Sequence, residues 1–104
     1  MANGKLGNAD LAGATETTVY TVPSQKTATF GINVTNRNDG YKVKVKIAIA
    51  AANPADSSEF IEYNTTIAPN GVLERTGLVA SAGEVVTAYA DASGVSVRVF
   101  GFEE

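Results

Sequence analysis

Hydrophobic and polar residues alternate with period two along much of the chain, most clearly in residues 41–51. Tyrosine, valine and isoleucine occupy one set of alternate positions there, while Lys42, Lys44 and Lys46 occupy the other. Period two places successive side chains on opposite faces of a β-strand, whereas a helix would spread these lysines around its surface. The alternation therefore predicts a strand with one apolar face and one lysine face.

Six further segments have the β-branched, aromatic or alternating character of strands, and Gly, Pro, Asn and Asp clusters separate them. Asp39-Gly40 and Asn70-Gly71 are typical of turns. No amphipathic helix is predicted. Short strands at this spacing predict an all-β fold, a single small antiparallel β-sandwich of about seven strands, immunoglobulin-like or jelly-roll-like. The predicted strands are 17–22, 27–36, 41–51, 60–63, 72–79, 84–90 and 95–102.

The first fifteen residues lack this alternation. They are rich in Gly, Ala and Asn, and Leu6 and Leu11 are their only large aliphatic side chains. The sequence therefore predicts an N-terminal arm over 1–15 and a sandwich domain over 16–104. Two interpretations of the arm stay open: a mobile terminus, or a segment that becomes ordered on a neighbouring subunit with the two leucines as anchors.

The C-terminal strand carries aromatic residues on its polar side. Its valines, at alternate positions of 95–99, supply one face, whereas Phe100 and Phe102 continue the face of Ser96 and Arg98. An aromatic pair on an outer face needs cover from the arm or from another subunit. The acidic residues 103–104 are expected to be a solvated end. The predicted partner-binding residues are Leu6, Leu11, Phe100 and Phe102.

Composition narrows the possible functions. The 104 residues suffice for one domain; 44% are hydrophobic, 18% are charged, and the net charge is −3. A nucleic-acid-binding protein would normally carry an excess of basic residues, so this chain is not expected to bind nucleic acid. No apolar run is long enough for a bilayer, and the N-terminus lacks the apolar stretch of a signal peptide, so we expect synthesis in a cytoplasm and no membrane partner. The three lysines are expected to keep their strand soluble and to offer a secondary electrostatic contact.

The sequence offers little for chemistry. It contains no His and no Cys, which removes disulfides, thiolate metal sites and the commonest nucleophile–base arrangements. Ser24 with Lys26 is better explained as a polar turn, and residues 36–39 as a hairpin turn than as a calcium loop. Glu59 with Glu62, Glu74 and Glu84 are expected to be solvated or edge charges rather than glycosidase pairs. No catalytic residue, metal site or cofactor is predicted.

Several strand and turn phrases occur together in a fixed order. They are Val19–Pro23, Asn33–Arg37, Ile61–Tyr63, Gly71–Gly77, Ser81–Glu84 and Val95–Glu104. In this order they resemble small virion structural proteins of tailed phages, notably those that infect cyanobacteria and other marine bacteria. The likeness covers most of residues 17–104 and includes no catalytic signature.

The resemblance implies a non-enzymatic virion protein, made in the host cytoplasm and without a cofactor. In such phages, β domains of this size serve as capsid decoration (cement) proteins or as minor tail and fibre components. The implied partner is the major capsid protein or another virion protein, and the implied oligomer is symmetric, with a trimer favoured.

Three functions are carried forward: a capsid decoration protein, a tail, neck or fibre component, and a carbohydrate-binding β-sandwich module. The third needs exposed aromatic platforms, and the chain has no Trp. Its tyrosines fall within predicted strands, where packing in the core or across strands is expected. They are Tyr20, Tyr41, Tyr63 and Tyr89.

Overall fold

The computed structural model describes residues 3–104, and within that range the regular elements are eight β-strands and one short 3₁₀ turn. This confirms the predicted all-β sandwich. Across the same residues, no helix has the length and apolar character needed to cross a bilayer. The strands are β1 (Asn3–Leu11), β2 (Thr17–Thr21), β3 (Ala28–Asn36), β4 (Val43–Ala50), β5 (Phe60–Ile67), β6 (Val72–Ala80), β7 (Val85–Ala90) and β8 (Val95–Glu103), with the 3₁₀ turn at Ser57–Glu59.

The strands form two four-stranded antiparallel sheets. Sheet I has the order β1-β8-β3-β6 and sheet II the order β2-β7-β4-β5. The first strand pairs with the eighth, the second with the seventh, the third with the sixth and the fourth with the fifth. The chain is thus one long hairpin rolled up so that β3 also pairs with β8, and β4 with β7. This connectivity is that of a jelly roll rather than of an immunoglobulin domain.

The predicted arm is part of the sandwich. Residues 3–11 form β1, which pairs with β8 from Asn3 opposite Phe102 to Leu11 opposite Val95. The strand count is therefore eight, and the predicted boundary near residue 16 falls between two strands of one domain. Weak local β-propensity is overridden here by ladder hydrogen bonds and by burial of one leucine. Met1 and Ala2 of the predicted arm lie outside the described residues.

The core lies between the sheets and is built from the inward set of each alternating strand. Each fully buried Val, Ile or Leu side chain contributes about 1.5–3 kcal/mol through the area that it removes from water. The largest apolar side chains with almost no exposure are Leu11, Val22, Ile32, Val34, Val43, Val45, Ile47, Val86, Val95, Val97 and Val99.

One end of the sandwich is closed by a buried amide. Asn36, at the end of β3, is fully buried. Its Nδ2 donates to the carbonyl oxygens of Tyr41, Ile67 and Ala68 at 3.0, 3.2 and 3.2 Å. Its Oδ1 accepts from the backbone N and the Nδ2 of Asn38 at 3.0 and 2.9 Å. This one side chain therefore joins the β3–β4 connection to the β5–β6 turn.

Candidate functional site

The outer face of sheet I carries the two C-terminal phenylalanines. Phe102 lies between Asn3 of β1 and Thr29 of β3, and Val79 of β6 lies opposite the same threonine. The side chain of Phe102 is 42% exposed. Phe100 is one row further along the same face. We call Phe100, Phe102 and Val79 the apolar patch.

A glycine determines how Phe100 lies. Gly31 is directly opposite Phe100, and a Cβ added to Gly31 would come within 2.6 Å of Cζ of the ring. The ring therefore leans across β3 in the space that the missing side chain leaves. Beside it is a shallow open depression of about 570 Å³, whose other lining residues include Gly4, Glu74 and Arg98.

The other half of this face is polar. Asn8, Arg98, Asn33 and Glu74 form one row across the four strands of sheet I. The apolar patch is thus bordered by amides and by charges of both signs. That arrangement is typical of a protein–protein contact, where an apolar centre has a polar rim.

The two predicted leucine anchors do not face a partner. Leu11 is 2% exposed and belongs to the core. Leu6 lies where the β1–β8 register skips between Lys5 and Gly7, and it packs against the core while partly buried. The prediction of surface anchors was wrong because β1 turns its leucines inward. Phe100 and Phe102 stay as the predicted contact.

The three lysines of the β4 region differ in their surroundings. Lys42 precedes the strand and is exposed, as is Lys44 on the outer face of sheet II. Lys46 is half-buried, and its Nζ lies 4.8 Å from the ring centroids of both Tyr63 and Tyr89. A cation over two aromatic faces gains a stabilisation that an isolated surface lysine lacks. The predicted lysine face exists, but one of its members is part of an aromatic cluster.

A bulge on β5 turns Tyr63 outward. The β4–β5 register skips between Val45 and Ile47, so that Tyr63 and Asn64 both lie opposite Lys46. Asn64 has a φ of 53°, in the left-handed region. The extra residue and the positive φ are typical of a β-bulge, which redirects the neighbouring side chain.

The resulting cluster crosses three strands on the outer face of sheet II. Phe60 meets Tyr63 edge to face, with ring centroids 5.2 Å apart and planes at 75°. Tyr63 is 61% exposed. We call Phe60, Tyr63, Lys46 and Tyr89 the aromatic ladder. Sequence reasoning missed it because strand order and register, which bring β5, β4 and β7 together, are not visible in any one segment.

The connection between β4 and β5 covers another part of this face. Asn53 Nδ2 donates to Oγ1 of Thr18 on β2 at 3.0 Å and to the carbonyl oxygen of Glu16 at 3.2 Å. To reach β2 from the end of β4, the connection crosses β7. Ala48 and Thr87 are accordingly buried although the register places them on the outer face. The ladder occupies the half of this face that stays open.

The prediction of a solvated acidic end is wrong for Glu103, whereas the side chain of Glu104 is exposed. Glu103 is 8% exposed, and Tyr20 Oη donates to its Oε2 at 2.5 Å. Burial, together with the hydrogen bond and the charge of Glu103, raises the pKa of the Tyr20 phenol well above its ordinary value. This contact ties the end of β8 to β2, across the two sheets. Glu103 alternates with the buried valines of β8, so period two extended by two steps beyond Val99, past Gly101, would have placed it inward.

Three of the four carboxylates considered for catalysis have structural roles. Glu59 accepts from the backbone N of Ala51 and Asp56, and Glu84 accepts from the backbone N of Ser81. Glu62 forms an ion pair with Arg75 across the edges of the two sheets. Among residues 3–104, no three His, Cys, Asp or Glu side chains are close enough to hold a metal ion.

Glu62 gives a pH-dependent contribution to stability. A hydrogen bond from Thr65 and, after that, the Arg75 contact favour the charged carboxylate more than burial opposes it, so the pKa of Glu62 lies below its ordinary 4.5. A lowered folded-state pKa stabilises the fold above the unfolded-state pKa, and this stabilisation is lost as the pH falls through the folded value. Glu62→Gln is therefore expected to cost about 1 kcal/mol near neutral pH, and the cost should shrink as the pH falls from neutral to below the ordinary pKa of 4.5. Urea unfolding across this pH range measures it.

Glu74→Gln is the matched control, because Glu74 on β6 makes no ion pair among the described residues. It should leave the unfolding free energy and its pH profile nearly unchanged. If Glu62→Gln behaves like Glu74→Gln, the Glu62–Arg75 pair does not stabilise the sheet edges.

No family model, curated protein or solved structure matches this chain.

Proposed function

We propose that this chain is a non-enzymatic virion structural protein, a decoration protein that binds the major capsid lattice of a tailed phage. The apolar patch carries the proposal. It places two phenylalanines and a valine on the outer face of a sheet, where Phe102 and Val79 are exposed at 42% and 59% and Phe100 is half-buried over Gly31. The virion assignment itself comes from the resemblance of residues 17–104, and the jelly-roll connectivity is compatible with it.

The composition of this face suits a stable protein–protein contact rather than a catalytic site. Phe102 would supply the anchor, and the polar row beyond it, with Arg98 and Glu74, would supply the rim. Large aromatic side chains at the centre of an interface contribute most of the binding energy, while rim charges mainly fix orientation. We propose that three copies assemble over each junction between capsid subunits and that each copy contacts the capsid through the apolar patch.

The test is binding of the purified protein to capsids that lack it. Phe102→Asp is expected to weaken binding by roughly thirtyfold or more, because it places a charge at the centre of the contact. The measurement is co-sedimentation with capsids over a range of protein concentrations. The matched control is Tyr63→Asp, an exposed aromatic on the opposite sheet, which should bind capsids like the unchanged protein.

Undiminished binding of Phe102→Asp would refute the patch as the docking surface. Immunogold labelling of intact virions separates the alternatives: label over the head supports the decoration role, and label confined to the tail, neck or fibres overturns it.

The mass of the free protein in solution tests the trimer, which requires three times the 10.7 kDa of one chain.

A further inference from the structure

The aromatic ladder on sheet II places one exposed ring beside an ammonium group that makes no ion pair among the described residues. We propose that it binds acidic saccharides, with Tyr63 as the stacking platform and Lys46 as the group that receives the sugar carboxylate. The ladder lies on the opposite face of the sandwich from the apolar patch, so this proposal does not depend on the proposed virion role.

The exposed ring supplies the first half of the recognition. Tyr63 is 61% exposed and is held by Phe60 edge to face at 5.2 Å. A held ring loses little conformational entropy when a ligand stacks on it, and the C–H face of a pyranose is a flat apolar partner for such a ring. Asn64, next to the ring at the bulge, offers amide hydrogen bonds to hydroxyl groups.

The ammonium group supplies the selectivity for acidic sugars. Lys46 Nζ is positioned by two rings, at 4.8 Å from each centroid, and no carboxylate lies within ion-pair distance of it among residues 3–104. A cation fixed in place without a counter-ion can make a charge-assisted hydrogen bond to a carboxylate. Lys44 lies on the same face of β4, but the Asp91 carboxylate beside it accepts a hydrogen bond from the Lys44 backbone N at 3.0 Å, so the selectivity is assigned to Lys46.

Two features separate this cluster from ordinary cross-strand packing. First, the bulge with Asn64 at a φ of 53° is a conformation that a plain ladder does not need, and β-bulges are over-represented next to functional sites. Second, the β4–β5 connection folds over the neighbouring part of the same face through Asn53 but leaves Tyr63 open. The open half of this face is therefore a bordered site rather than a featureless surface.

The experiment is calorimetric titration with a galacturonic acid hexamer and, in parallel, with neutral maltohexaose. The acidic hexamer is expected to bind more tightly. Lys46→Met keeps an unbranched apolar side chain. It should weaken binding of the acidic hexamer by about tenfold and leave binding of the neutral hexamer unchanged. Tyr63→Ala should weaken both by about tenfold or more.

Tyr41→Ala is the matched control, because Tyr41 is similarly exposed, at 50%, but lies before β4 and outside the ladder. It should bind both sugars like the unchanged protein. Absence of binding to the acidic hexamer at millimolar concentration overturns the proposal, and so does binding that Tyr63→Ala and Lys46→Met leave intact. Equal effects of Lys46→Met on the two sugars would overturn the assigned role of the ammonium group.

Discussion

Asn36→Ala is expected to destabilise the protein by roughly 3 kcal/mol or more. The change removes a fully buried amide that donates to three carbonyl oxygens and accepts two hydrogen bonds from Asn38. The carbonyl oxygens that lose their donor belong to Tyr41, Ile67 and Ala68. Water cannot reach all of them to replace the lost hydrogen bonds. A buried polar group without a partner costs far more than the hydrogen bond itself contributes. Urea unfolding at neutral pH measures the loss.

Asn33→Ala is the matched control on the same strand. Asn33 is half-buried on the outer face of sheet I, where its Oδ1 accepts one hydrogen bond from Thr35. Its loss should cost about 1 kcal/mol or less. Asn36→Asp keeps the acceptor but loses the donors, and it should be at least as damaging as Asn36→Ala. Equal stabilities for the Asn33 and Asn36 alanine variants would show that the amide network does not hold this end of the sandwich.

The alternating segments of the sequence predicted both the strands and their inward faces. In β4, Val43, Val45 and Ile47 are buried, while Lys44 and Lys46 face outward. This succeeded because period two is a property of the strand itself and does not depend on its neighbours. The same reasoning placed Phe100 and Phe102 on the outer side of the last strand.

The first strand could not be predicted because nothing local specifies it. Residues 3–11 form a strand only through pairing with β8, more than eighty positions away in the chain. The skip in register at Leu6 also breaks the alternation that would have revealed the strand. A strand cannot be predicted from its own segment when its local β-propensity is low and its formation depends on long-range pairing.

Of the two candidate surfaces, the sequence predicted two residues of the apolar patch and, as a separate electrostatic contact, one residue of the aromatic ladder, Lys46. The apolar patch was partly visible because two of its members are neighbours in one strand. The aromatic ladder combines single residues from β5, β4 and β7, and its geometry depends on a bulge. Tyr63 was expected to be packed, as a tyrosine in a strand usually is, and the bulge at Asn64 is the physical reason that it is not.

Gly101→Ala is expected to displace the end of β8 and to cost roughly 3 kcal/mol or more. Gly101 has a φ of 152°, and a Cβ there would lie 2.1 Å from the carbonyl oxygen of Thr29 and 2.7 Å from Cα of Phe30. Those atoms are backbone of the paired strand β3, so they cannot rotate away as a side chain would. The residues that follow include Glu103, whose contact with Tyr20 joins the two sheets and would be lost with the displacement.

Thermal unfolding compares this variant with Gly40→Ala, where an added Cβ meets nothing within 4 Å. Gly40→Ala should stay within about 0.5 kcal/mol of the unchanged protein. In Gly101→Ala, the Tyr20 phenol should also lose the contact that helps to raise its pKa, so it should titrate at lower pH than in the unchanged protein. Because Phe102 lies between Gly101 and Glu103 on β8, capsid binding of Gly101→Ala should fall together with its stability. A stable Gly101→Ala protein with an unchanged Tyr20 titration would mean that the end of β8 is not held against β3 as tightly as the register implies.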